Sequence, residues 1–248
     1  MSEQIDVVEM KKLTIKKPPV MNYFGTETVN GICTNISFSG KDIKTVMLTS
    51  CVASEGKSTM AMRLLMANAQ RGKKTLLVDL DLRASTSAGR YGYRTDGKMY
   101  GIAHYLAGKK DLYDILYETN IPNAYVIPIG RIISNPSGLI NSSMLEDMFS
   151  ELRKCFDLII VDTPPVGIVI DAADIVRVCD GSILVIEYGK RRRHEVQDAV
   201  NQMKRSGTPV LGCIIDKVNP KSMSEKKYYH SHYYYYNKDD KTGAYRYK

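Results

Sequence analysis

Along most of the chain, short runs rich in β-branched residues and leucine alternate with longer stretches of helical period. The runs cover residues 46–50, 75–79, 125–129, 158–162, 183–187 and 210–216, and nearly all are apolar throughout instead of alternating. That is the pattern of strands covered on both faces. Between them, helical period over residues 59–71, 143–154, 172–178 and 195–206 predicts helices. Ser142 or Ser143 is placed to cap the second of these, with Glu146 three residues after Ser143 completing a capping box. A βαβα rhythm with crossovers of this length predicts an α/β fold built on a doubly wound, mainly parallel sheet. Ligands in such sheets bind beyond the carboxyl ends of the strands, which is where chemistry is to be sought.

The 248 residues are 44% apolar and 25% charged, with 18 Gly and 9 Pro, an ordinary globular composition that excludes a mostly unfolded chain. Five cysteines, scattered and without a Cys-x-x-Cys pair, indicate neither a disulfide framework nor a zinc cage and point to a reducing, cytoplasmic setting. No secretion signal or membrane span is expected, since the most apolar stretch, residues 158–170, is broken by Asp162 and two prolines. The net charge of +8 is unevenly placed: residues 217–248 hold eight basic and three acidic side chains, 8 − 3 = +5. The same stretch holds Tyr228, Tyr229, Tyr233, Tyr234, Tyr235, Tyr236, Tyr245 and Tyr247, eight of the seventeen tyrosines. This composition sets apart a flexible tail over 219–248 from a folded domain over 25–218, preceded by an N-terminal extension over 1–24.

Three strand ends carry candidate chemistry. The first strand runs through CVASEGKST into a helix. A phosphate-binding loop needs consecutive backbone N–H groups at a helix start, a lysine for the β- and γ-phosphates and a following hydroxyl for Mg²⁺. Gly56, Lys57, Ser58 and Thr59 meet that need, although Cys51 stands where the strict pattern has its first glycine. The second strand ends LLVDLDLR and puts Asp79 and Asp81 on one side of an extended segment. Two carboxylates beside a phosphate site can bind Mg²⁺ or take a proton. The fourth strand, DLIIVDTPP, presents Asp162 where nucleotide hydrolases and transferases hold their metal through water.

This trio resembles the Walker A, Walker A′ and Walker B motifs of the bacterial tyrosine kinases that govern capsule and exopolysaccharide synthesis, and the tyrosine-rich tail and the segment GRIISNPSGLINSS are similar too. The resemblance implies a P-loop kinase domain that transfers the γ-phosphoryl of ATP to tyrosines of its own tail, phosphorylated in a neighbouring subunit's site. It also implies a transmembrane polysaccharide co-polymerase as adaptor, a cognate tyrosine phosphatase, and a place at the inner face of the cell membrane, with no nucleic-acid partner. The implied roles are Ser54, Glu55, Gly56, Lys57, Ser58 and Thr59 around the phosphates, Lys57, Asp79, Asp81 and Asp162 in catalysis, and Ser58, Asp79, Asp81 and Asp162 for Mg²⁺. Asp79 is the candidate base, and Arg83 helps to position the site. The eight tail tyrosines are the acceptors.

Three positions depart from the family's pattern. Ala53-Ser54 replaces a Pro-Gly pair, restricting the loop backbone. The family's oligomerisation signature falls on Glu27, Asn30 and Cys33, without its two arginines, which argues against the family's ring because neither residue replaces a guanidinium. Asp216 stands where an asparagine is expected near the adenine. A positioning ATPase of the kind that partitions DNA or places division sites shares the fold, but its signature lysine position holds Val52. A nucleotide-responsive regulatory module without kinase activity is the other alternative. The basic run over 190–193 is expected to be a solvated turn.

Overall fold

A computed structural model describes residues 10–133, 136–140, 143–166 and 175–218. The chain divides into two units, Met1–Asp216 and Lys217–Lys248, and nearly all of the second, with the eight tail tyrosines, lies outside the described residues. The first unit carries nine strands among the described residues: β1 (Lys11–Ile15), β2 (Thr45–Ser50), β3 (Thr75–Asp79), β4 (Tyr93–Thr95), β5 (Tyr117–Thr119), β6 (Ala124–Ile127), β7 (Leu158–Asp162), β8 (Gly181–Glu187) and β9 (Val210–Asp216). They form one sheet in the order β4-β1-β5-β6-β3-β7-β2-β8-β9. Pairing is parallel from β6 through β3, β7, β2 and β8 to β9, and antiparallel only at β1–β4 and β5–β6. The mainly parallel, doubly wound expectation is met.

All six strands read from the sequence are present. The third ends earlier than expected, at Ile127, because Pro128 has no N–H to give the ladder. β1, β4 and β5 were not anticipated. β1 lies inside the expected N-terminal extension and pairs in parallel with β5, Lys11 opposite Tyr117, so this segment belongs to the sheet.

Central strands alternate their side chains between two cores. Val46 and Leu48 of β2, Leu77 of β3, and Leu158 and Ile160 of β7 face one core; Met47, Leu76, Val78, Ile159 and Val161 face the other. Helix α1 (Tyr23–Phe38) and helix α2 (Lys57–Gln70) cover the first face, and Leu145, Met148, Phe149 and Leu152 of the helix Ser143–Cys155 cover the second. A third cluster joins Cys51, Val166 and Leu184 to Ala199 and Met203 of the helix Arg193–Arg205. Of the two caps expected for the helix Ser143–Cys155, Ser143 is the first helical residue and Ser142 lies outside the described residues. Of the helix expected over 172–178, residues 172–174 also do, and Val176–Val178 closes as a 3₁₀ turn.

Of the signature positions on α1, Glu27 is exposed, Asn30 is half-buried and Cys33 is buried, so the three do not share one outward face. Cys33 is 1% exposed in the first core and its sulfur accepts from Asn68 Nδ2 at 3.1 Å. Arg71, from the end of α2, donates to the Asn30 carbonyl at 3.3 Å and to Thr34 Oγ1 at 3.3 Å. Cys33 therefore serves packing between α1 and α2, and Asn30 offers Arg71 its main-chain carbonyl. No helix among the described residues is long and apolar enough to cross a membrane.

Candidate functional site

β2 lies inside the sheet between β7 and β8, so the chain leaving Ser50 emerges between those strands and must turn back into α2 within six residues, 51–56. Two backbone features make that turn. Ser54 adopts φ 67° and Gly56 φ 98°. For Ser54 the left-handed conformation costs about 1–2 kcal/mol, the price of the serine that replaces the expected glycine. Gly56 cannot be replaced so easily: a Cβ there would come within 2.1 Å of Asp216 Oδ2. Gly56 caps α2 without a side-chain hydrogen bond, which leaves the first amides of the helix directed out of the loop. Cys51, at the position of the pattern's missing glycine, points instead into the third cluster and is buried; burial first, and the Glu55 carboxylate next, push its thiol up to about 11, so it is not a nucleophile.

Lys57 opens α2 and its ammonium is buried between two neighbouring strand ends, with Nζ donating to Asp81 Oδ2 at 3.0 Å and lying 3.8 Å from Asp162 Oδ1. Burial alone would lower the Lys57 pKa, but the Asp162 and Asp81 carboxylates outweigh it and the net shift is upward, so the charge is held. Asp79 and Asp162 are register partners across β3 and β7. Burial raises the Asp79 pKa, the facing Asp162 raises it further, and it reaches about 7 in spite of a hydrogen bond from Ser85 Oγ. Asp162 is raised by the same burial, with Lys57 and the Ser58 hydroxyl pulling it back. Its Oδ1 has no hydrogen-bond partner among the described residues.

Three buried carboxylates against one ammonium leave an excess of negative charge that a divalent cation would cancel. Among the described residues no three His, Cys, Asp or Glu side chains form a cage able to hold a metal by themselves. A magnesium ion here would draw its other ligands from phosphate and water, which is its usual habit. The orphaned Asp162 oxygen and the tight Gly56 turn fit a magnesium-bound phosphate group, and Lys57, Ser58 and Asp162 are the residues placed to hold one.

Each candidate read from the sequence can now be located. Lys57, Asp79, Asp81 and Asp162 converge; Ser54, Glu55 and Gly56 lie in the loop beside them, and Ser58 and Thr59 in the first turn of α2. Arg83, partly buried, follows Asp81 in the turn after β3. Asp216, expected near a base, packs its carboxylate against Gly56 and lies 3.5 Å from Arg63 Nη1. Val52 carries no charge, and its amide donates to Glu55 Oε2 at 3.0 Å. Two residues were missed. Ser85 fixes Asp79, and Arg90, on the short helix Ser87–Arg90, donates from Nη1 to Thr59 Oγ1 at 3.2 Å at the mouth of the loop. Neither stands in a motif; only the fold brings them in.

An AAA-domain family profile matches residues 43–206. The tyrosine-protein kinase CpsD of Streptococcus agalactiae serotype III is 42% identical over 216 residues, spanning 87% of this chain and 89% of CpsD. The chain belongs to the bacterial tyrosine kinase family. A second relative, the tyrosine-protein kinase YwqD of Bacillus subtilis, is 33% identical over 218 residues, 87% of this chain and 90% of YwqD. Among solved structures, the kinase domain of the Escherichia coli tyrosine kinase ETK superposes with a TM-score of 0.72 at 27% identity, covering 79% of this chain and 78% of that domain. Kinase relatives at this coverage support a protein-tyrosine kinase role for the whole first unit, and the three strand-end motifs of this family member fall at the cluster just described.

Proposed function

We propose that this chain is an ATP-dependent protein-tyrosine autokinase that phosphorylates its own C-terminal tyrosine cluster in a neighbouring subunit's site, in the service of capsular or exopolysaccharide synthesis. The observation that carries this reading is the Lys57 ammonium, buried between Asp81 and Asp162 at the mouth of an uncapped, glycine-tight loop. Lys57 and the amides of residues 54–59 bind the phosphates, and Ser58 and Asp162, with support from Asp79 and Asp81, hold the magnesium ion, whose chemistry is to neutralise charge on the transferred phosphoryl. On nucleotide binding Lys57 exchanges a carboxylate partner for a phosphate oxygen.

A tyrosine phenol has a pKa of about 10, so transfer gains from an acceptor for its proton. Asp79, facing Asp162 across the two strand ends and fixed by the Ser85 hydroxyl, is the carboxylate assigned to that task. The bond formed joins the γ-phosphorus to the phenolic oxygen as the bond to the β-phosphate oxygen breaks, and the phenolic proton passes to Asp79. Reach allows transfer between subunits: the stretch from Asp216 to Tyr228 spans at most about 40 Å. Each phosphate adds about −1.5 to −2, so four convert the tail's +5 to about −1 to −3. The membrane adaptor and the tyrosine phosphatase belong to the same reading, as the components that switch the kinase on and reset the tail. The positioning-ATPase alternative loses support from Val52, which offers no cation.

The test of transfer between subunits mixes two variants with labelled ATP and the adaptor: a donor truncated after Val218 and an acceptor carrying Lys57→Met with its tail intact. Label on the acceptor's tail is expected. Label that appears only when site and tail share one chain contradicts the between-subunit step, and release of inorganic phosphate alone contradicts the kinase reading.

A further inference from the structure

The basic run over 190–193 takes no part in the function proposed above, and one of its members departs from the solvated turn expected of it. Lys190, Arg192 and Arg193 are exposed, but Arg191 turns inward, with 24% of its side chain accessible. Its guanidinium lies between two carboxylates: Nε is 3.1 Å from Glu55 Oε1, and Nη1 donates to Glu195 Oε1 at 3.1 Å. Glu55 is the buried member, 2% exposed, and its other oxygen accepts the Val52 amide. Glu195, in the first turn of the helix Arg193–Arg205, accepts the Arg192 amide at 2.7 Å, and its own carbonyl takes the Cys51 thiol at 3.9 Å. Contacts thus run from the start of that helix through Arg191 to both ends of the loop stretch Val52–Glu55.

The Glu55 side chain accepts the Val52 amide across this four-residue turn, and inside the turn Ser54 is held at φ 67° against its own preference. A carboxylate this deeply buried needs a cation, and among the described residues its ionic partner is Arg191. Without Arg191, the Glu55 carboxylate would swing toward water. The Val52 amide then loses its acceptor, Ser54 relaxes toward negative φ, and the amides that follow turn away from the phosphate direction.

We propose that Arg191 is a positioning residue for nucleotide binding, acting through Glu55 to hold the phosphate loop in its binding shape. The proposal rests on the nucleotide-binding reading above. It needs no contact between Arg191 and the nucleotide, and it gives a use to a side chain that no strand-end motif contains.

Calorimetric titration of ADP with Mg²⁺ into the full chain tests it, with thermal unfolding of each variant run alongside. Arg191→Met is expected to weaken binding by about tenfold or more, because it strands a buried charge. Glu55→Gln is expected to cost less than about threefold, since Gln keeps an acceptor for the Val52 amide and Arg191 keeps Glu195. The decisive arm is the double variant Glu55→Gln/Arg191→Met, expected to recover to within about threefold of wild type once no buried carboxylate is left unpaired. A double variant as weak as Arg191→Met would reduce Arg191 to a packing group for the neighbouring helix and overturn the proposal, as would Arg191→Met binding like wild type. Should Arg191→Met fail to fold, Arg191→Lys decides: a several-fold loss of affinity at an unchanged melting temperature supports the proposal, and unchanged affinity overturns it. A wild-type chain that binds no ADP overturns the nucleotide-binding reading itself, a result visible before any variant is compared.

Discussion

Asp79→Asn is expected to make the folded protein more stable above neutral pH while removing the candidate proton acceptor. Asp79 is 3% exposed, and burial with the facing Asp162 raises its pKa from 3.8 to about 7. A carboxyl raised in this sense favours the fold while protonated: the contribution is complete below pH 3.8, its unfolded value, and is lost as pH rises through about 7. Above that pH the ionised group costs the fold about 4 kcal/mol, the interval from 3.8 to about 7 at about 1.4 kcal/mol per tenfold. Asparagine stays neutral, but its single carbonyl cannot accept from both the Ser85 hydroxyl and the Asp81 amide, as the two carboxylate oxygens do, and one weakened hydrogen bond costs about 1 kcal/mol. The balance is a gain of about 2–3 kcal/mol at pH 8, or about 5–10 °C in melting temperature for a domain of this size. Scanning calorimetry of both proteins from pH 5 to 8.5 measures it. The gap should be widest at pH 8 and close toward pH 5. A variant that melts below wild type at pH 8, or a gap indifferent to pH, would refute the description of this cluster as a group of mutually repelling buried carboxylates.

Three further outcomes follow from the same geometry. Gly56→Ala should lower stability by about 2 kcal/mol and abolish nucleotide binding, because a Cβ would meet Asp216 Oδ2 at 2.1 Å and φ is 98°; adding Asp216→Ala should return part of the stability, since it removes the clash but not the strain. Cys33→Arg, which restores a family arginine, should cost several kcal/mol in denaturant titration and leave the size by light scattering unchanged, because that position is 1% exposed and packed against Asn68. Phe149→Ala should cost about 3–5 kcal/mol in the same titration through the cavity it opens in the second core, with ADP affinity retained in the folded fraction.

What the sequence revealed, and what it hid, has physical causes. β2, β3, β7 and β8 were legible because strands buried on both faces need unbroken apolar runs such as LIIVD, whereas β9 carries such a run at the sheet edge with Ile214 alone buried. β1 was hidden because KKLTI buries only Leu13 and Ile15 and is flanked by lysines, as befits a strand near the sheet margin. α1 was hidden because glycine, threonine and asparagine give it weak helical propensity; it holds its shape through Val29, Cys33 and Ile36, packed against α2. Lys57, Asp79, Asp81 and Asp162 were legible because a parallel sheet brings its strand ends to one side. Arg191, Arg90 and Ser85 were not, since each reaches the loop from a connection whose path only tertiary packing fixes. The serine in the loop looked like a defect in sequence, and in the structure its strain is held by Glu55 and Arg191.

In the function proposed for this chain, the phosphate held by Lys57 leaves for the chain's own tyrosines. Single-turnover incubation of the full chain with magnesium, labelled ATP and the adaptor, followed by mass spectrometry of the tail peptides, tests it directly. Phosphotyrosine confined to the set Tyr228–Tyr247 in wild type, and reduced at least about a hundredfold in Lys57→Met, is the result expected. Unmodified tail tyrosines in wild type, or equal labelling in Lys57→Met, would contradict the account.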